Sequence, residues 1–111
     1  MDVGHVWRIR EGCEQEYVRR HAEVWPELEA IFRGLGVRSY VIYRWGRIVF
    51  SHMQVDDYER LVAEYGHDPV SLRWETEFDQ LLEYPGADPA SGWPEVLQHV
   101  WTMRPDPAGS S

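Results

Sequence analysis

The apolar positions of this chain change period several times, and each change marks an element. Residues Gly4 to Arg10 (GHVWRIR) alternate, with His5, Trp7 and Ile9 on one face and Val6 and Arg8 on the other, which predicts a strand buried on at least one side. Gly12 interrupts, and from Cys13 the stripe Tyr17, His21, Val24, Leu28, Ile31, Phe32 and Leu35 steps by three and four, the period of a helix. Pro26 falls inside that stripe. A proline there removes a hydrogen bond and crowds the preceding turn, so a kink or a restart is expected, with Pro26 in a first turn. Gly34 and Gly36 end the helix.

Ser39 to Val55 (SYVIYRWGRIVFSHMQV) is β-branched and aromatic on both sides of Trp45-Gly46-Arg47, the pattern of a hairpin with glycine at its turn. Asp56-Asp57 then caps a helix with the stripe Tyr58, Leu61, Val62 and Tyr65, which Gly66 closes. Asp68-Pro69 opens another, predicted over Val70 to Tyr84 with Leu72, Trp74, Phe78, Leu81 and Leu82 at helical spacing. PGADPASGWP, from Pro85 to Pro94, is loop chemistry, and EVLQHVWTM, from Glu95 to Met103, returns to a strand pattern. The order β-α-β-β-α-β predicts an α+β, ferredoxin-like sandwich: one domain over 1–104, helices on one face of an antiparallel sheet, and a flexible tail at 105–111. The strands carry large side chains on both faces although helices cover one, so two sheets are expected to pair face to face in a homodimer.

Composition narrows the partners. In 111 residues there are 19 acidic and 11 basic side chains, no lysine and a net charge of −8; such a surface repels a phosphate backbone, so no nucleic-acid partner is expected. No apolar run approaches the roughly 20 residues that cross a bilayer, and no polybasic segment marks a membrane surface. The single cysteine, Cys13, rules out an internal disulfide, and MDVGHVWRIR lacks the apolar core of a secretory signal, so the expected location is the cytoplasm.

Tyr17 and His21, four apart, share a helix face. An imidazole exchanges protons near neutral pH, and a phenol donates hydrogen bonds without charging, so the pair suits hydroxylated substrates. The same spacing also fits a core histidine bonded to a carbonyl. Tyr40 and Trp74 can close a pocket around the pair; indole faces stack on sugar C–H surfaces and phenols bond sugar oxygens, and an aromatic-rich core fits these residues equally. His5, His52 and His99 fall on separate predicted strands without metal-ligand spacing, and no glycine loop for phosphate is present.

The run EYVRRHAEVWPELEAIFRGLGVRSYVIY (Glu16 to Tyr43), with RIVF, LRWETEF and VLQHVW further on, resembles the L-rhamnose mutarotase family over nearly the whole chain. The resemblance implies a dimeric α/β barrel that interconverts the anomers of L-rhamnose or a related 6-deoxyhexose without a cofactor. It implies that His21 matches the acid/base histidine, Tyr17 and Tyr40 the substrate-contacting tyrosines, and Trp74 the first of two adjacent tryptophans at the sugar site. Glu75 stands where the second would be, replacing an apolar wall by a carboxylate. A cofactor-independent oxygenase or isomerase on the same fold, and a non-catalytic metabolite-binding module, remain the alternative readings.

Overall fold

The computed structural model describes residues 1–105, and the sequence patterns account for most of its architecture. The alternating opening segment is a strand, β1 (Asp2–Ile9), and the helical stripe is divided as Pro26 requires: α1 (Glu14–His21) ends, Trp25 is extended, and α2 (Pro26–Gly34) restarts with the proline in its first turn. The hairpin is β2 (Val37–Trp45) and β3 (Ile48–Val55), with Gly46 at φ +61° in the turn. Asp57 accepts a hydrogen bond from the Arg60 N–H and caps α3 (Tyr58–Glu64), which runs into a 3-10 turn at Tyr65–His67. Asp68 caps α4 (Pro69–Asp79) in the same way through the Val70 N–H. Ser71, fully buried, donates to the Tyr65 and Asp68 carbonyls and ties the start of α4 to that turn.

Two predicted boundaries move. The helix expected to reach Tyr84 stops at Asp79: Leu81 turns back on the Phe78 carbonyl, its own carbonyl accepts from Arg10, and Leu82–Glu83 form β4 against Ile9 and Arg8. Buried leucines serve a strand as well as a helix, and the free edge of β1 decides between them. The strand expected over Glu95 to Met103 shrinks to β5 (Glu95–Val96), paired with His5 and Val6. Strand propensity makes a strand only where a sheet edge receives it. Past Leu97, whose N–H donates to Gly4, the chain leaves the sheet with Val100, Trp101 and Met103 exposed. The tail expected at 105–111 lies, from Asp106 onward, outside the described residues.

The sheet is antiparallel in the order β2-β3-β1-β4, with β5 beside the other half of β1's edge. Val3, His5, Trp7 and Ile9 of β1 and Val49, Ser51, Met53 and Val55 of β3 face the helices and are buried. Leu28, Leu61, Trp74 and Phe78 meet them from the helices. The ferredoxin-like expectation thus holds. On the opposite face Val41, Tyr43, Trp45, Ile48 and Phe50 are exposed, Trp45 at 76% and Tyr43 at 60%. An uncovered face this apolar is unusual for a chain that acts alone.

Candidate active site

Between the sheet and the helices lies a cavity of about 780 Å³, within the roughly 300–1,000 Å³ usual for small-molecule sites. Trp7 and Tyr40 from the sheet, Tyr17 and His21 from α1, and Trp74 and Glu75 from α4 all line it. The five residues singled out in the sequence therefore share one cavity.

His21 is the last residue of α1, four after Tyr17, and its Nδ1 lies 2.8 Å from the Tyr17 carbonyl oxygen. A carbonyl only accepts, so Nδ1 carries the hydrogen and the lone pair of the neutral ring sits on Nε2. Among the described residues Nε2 has no hydrogen-bond partner. The ring is held by Tyr17 at 4.4 Å between centroids, Phe78 at 5.0 Å and Trp74 at 5.9 Å. Burial lowers the His21 pKa below 6.5, and the carbonyl bond only partly offsets this. The imidazole is thus neutral at pH 7, bonded to a carbonyl through one nitrogen as a core histidine would be, with the other nitrogen free.

Trp74 stacks on Phe78 at 4.5 Å and meets Trp25 edge to face at 5.0 Å, so the indole before Pro26 braces the cavity wall without lining it. Tyr40 packs edge to face on Phe32 at 5.5 Å. The Tyr17 hydroxyl, the Trp7 Nε1 and the Ser51 hydroxyl are buried and make no well-formed hydrogen bond, although Trp7 lies close enough to Tyr17, and Ser51 to Tyr40, to act on those phenols. Unpaired buried polar atoms are rare and unfavourable. Burial raises the Tyr17 pKa well above the usual phenol range, against a smaller opposing effect of the Trp7 indole, so the hydroxyl keeps its proton.

Glu75 accepts a hydrogen bond from the Tyr65 hydroxyl at 2.8 Å. Burial raises its pKa above the ordinary carboxylate value although the Tyr65 bond opposes this. The phenols of Tyr65 and Tyr84 are pushed up first by burial and then by this carboxylate.

Other lining residues carry no local signal of that place. Trp93 comes from the Pro85–Pro94 loop, where nothing distinguishes it, yet it packs on His5, Tyr58 and Tyr65 at 5.6–6.0 Å. His5, considered among metal candidates, is buried and hydrogen-bonded to Tyr58 at 2.7 Å, and burial alone takes its pKa from 6.5 to about 4. His52 pairs with Asp2 and His99 with Thr102. Among the described residues no three His, Cys, Asp or Glu side chains converge to hold a metal, and no helix is long and apolar enough to cross a membrane.

The family description "L-rhamnose mutarotase" matches residues 2–103. An L-rhamnose mutarotase of Shigella flexneri serotype 5b is 31% identical over 100 residues, 88% of this chain and 93% of that one. The Escherichia coli K12 protein of the same name is 30% identical over the same shares. Among solved structures, the L-rhamnose mutarotase of Formosa agariphila superimposes with a TM-score of 0.73 at 19% identity, over 94% of this chain and 99% of its own. Tetracenomycin F2 cyclase of Streptomyces glaucescens, a polyketide cyclase, superimposes with a TM-score of 0.60, also at 19% identity, over 96% and 99%. At that identity the two structures establish the fold, which evidently hosts more than one chemistry.

Proposed function

The chain belongs to the L-rhamnose mutarotase family, whose members are carbohydrate isomerases, and from that premise we propose that it interconverts the α and β anomers of L-rhamnose or a related aldose through His21. The observation that carries the proposal is the fixed tautomer: Nδ1 is engaged by the Tyr17 carbonyl, which leaves Nε2 as the free nitrogen of a neutral ring that lines a sugar-sized aromatic cavity.

Mutarotation needs only a proton moved between two oxygens on one carbon. Nε2 takes the proton from the anomeric hydroxyl; the electron pair left on that oxygen forms the carbonyl as the bond from the anomeric carbon to the ring oxygen breaks. The imidazolium returns the proton to the ring oxygen, now a hydroxyl. The aldehyde turns about its single bond and the reverse steps close the ring on its other face, leaving the enzyme unchanged. Tyr17, protonated and making no well-formed hydrogen bond inside the chain, donates one to a sugar oxygen; Tyr40 and Glu75 contact further hydroxyls, and Trp74 stacks on the C–H face. Uncatalysed ring opening is already accessible in water, and acid–base assistance typically adds ~10²–10⁴-fold, enough for this task.

Saturation transfer between the two anomeric proton signals of L-rhamnose tests the assignment. The parent protein transfers saturation, and His21→Ala abolishes the enhancement. A variant exchanging at the parent rate overturns the role given to His21.

The exposed apolar face of the sheet supports a homodimer in which two such faces cover each other. The segment after Leu97, with Val100 at 86% exposure and Trp101 at 76%, adds apolar surface that no part of the described chain covers.

A further inference from the structure

Glu75 stands among Tyr17, Tyr40, Tyr65 and Tyr84, each of which feels its charge, while Asp79, also on the cavity wall, acts on Tyr84 and on Glu75 itself. The geometry of Glu75 is fixed. The Tyr65 O–H donates to Oε1 at 2.8 Å, and Tyr65 is itself stacked on Phe32 at 4.9 Å and packed against Trp93 at 5.6 Å. The carboxylate cannot swing toward solvent without giving up that phenol. Oε2 has no hydrogen-bond partner among the described residues, and Glu75 lines the cavity. An ionised carboxylate only accepts hydrogen bonds, so a guest that displaces water from this wall must present a donor to Oε2 or leave a stripped, unpaired oxygen. A sugar hydroxyl is such a donor; a methyl or ring C–H is not.

We propose that Glu75 determines which aldoses the site accepts: its free oxygen takes a hydrogen bond from one sugar hydroxyl, selecting neutral aldopyranoses that carry this hydroxyl over those that lack it. This rests on the mutarotase reading above and adds the group that sets substrate choice. Tyr65 is a positioning residue in this scheme, since it acts by holding the carboxylate. Sites built to bond a substrate hydroxyl discriminate against its absence far more sharply than apolar pockets discriminate against its presence.

The test is a cycle between sugar and protein. Anomer exchange is measured for L-mannose and its monodeoxy forms, L-rhamnose being the 6-deoxy one, with the parent, E75Q, E75L and Y65F. For one ring position, loss of the hydroxyl is expected to lower the parent's kcat/KM roughly 10- to 100-fold. In E75L the same comparison is expected to fall to within about threefold, with E75Q between the two. Y65F is expected to weaken the discrimination through KM more than through kcat. A discrimination that survives intact in E75L and E75Q overturns the proposal. So does an equal fall for every sugar, which is the signature of a general acid or base or of a damaged fold. Should E75L not fold, the nearly isosteric E75Q carries the same comparison. Failure of the parent to exchange any of these sugars overturns the mutarotase reading, and this inference with it.

Discussion

The chemistry of single side chains rests on two histidines with opposite duties. His21 lies at the cavity wall, and its pKa, lowered by burial, keeps it in the base form at neutral pH. Anomer exchange is therefore expected to hold level above pH 6.5 and to fall as pH drops through the lowered pKa, because protonation removes the Nε2 lone pair. His21→Ala is expected to lose on the order of 10²-fold or more in exchange while its far-ultraviolet circular dichroism and melting temperature stay near the parent's. His5 lines the same cavity but is almost fully buried and bonded to Tyr58. Its pKa is about 4 in the folded chain against 6.5 when unfolded, so below pH 6.5 the unfolded state takes up a proton that the native state refuses. Stability should therefore decline as pH falls from 6.5 toward 4, by roughly 3 kcal/mol for this group. Melting curves of the parent and of His5→Gln across that range check it. The variant should show a clearly shallower decline, and equal slopes would show that His5 is not the group responsible. Trp7, Ser51 and Tyr17 show where residue-level reading stops: alternation grouped Trp7 with His5 and Ile9 on one face of its strand, but that this face meets the helices and leaves these polar atoms without well-formed bonds is visible only in three dimensions.

Element boundaries were legible wherever the backbone itself demanded a residue type. Pro26 restarted a helix, Asp57 and Asp68 capped two more, and Gly46 made the hairpin turn. Gly36 joins α2 to β2 at φ +87°, and a Cβ there would stand 3.3 Å from the Asp56 Cβ. Gly36→Ala is expected to destabilise the protein by about 1–3 kcal/mol through left-handed strain and this contact. Thermal melts measure it; an unchanged midpoint would mean that the joint relaxes freely. The boundaries that moved, at Leu81–Glu83 and after Val96, are the ones set by an edge of β1 lying more than seventy residues away in sequence.

For the whole molecule, the decisive feature is the face of the sheet turned away from the cavity. Tyr43 and Phe50 stack on each other at 6.3 Å there, next to Val41, Trp45 and Ile48. Sedimentation should report a particle of twice the 13.1 kDa chain. Phe50→Asp, which places a charge in the middle of that face, should shift it toward monomer. A parent that sediments as a monomer at micromolar concentration would overturn the dimer.

Periods of two and of three to four, punctuated by Pro, Gly and Asp, determined the order of elements and which side of each was apolar, because those signals act over a few residues of backbone. Helical spacing likewise put Tyr17 beside His21, and Trp74 next to Glu75 follows from the chain itself. Only the packed structure decided that α1, α4 and the sheet close around one cavity, that Trp93 enters it from a featureless loop, and that Tyr65 grips Glu75. It also decided which nitrogen of His21 is free. These are contacts between distant segments, and their geometry comes from how side-chain volumes fill the space between layers, which no local pattern encodes.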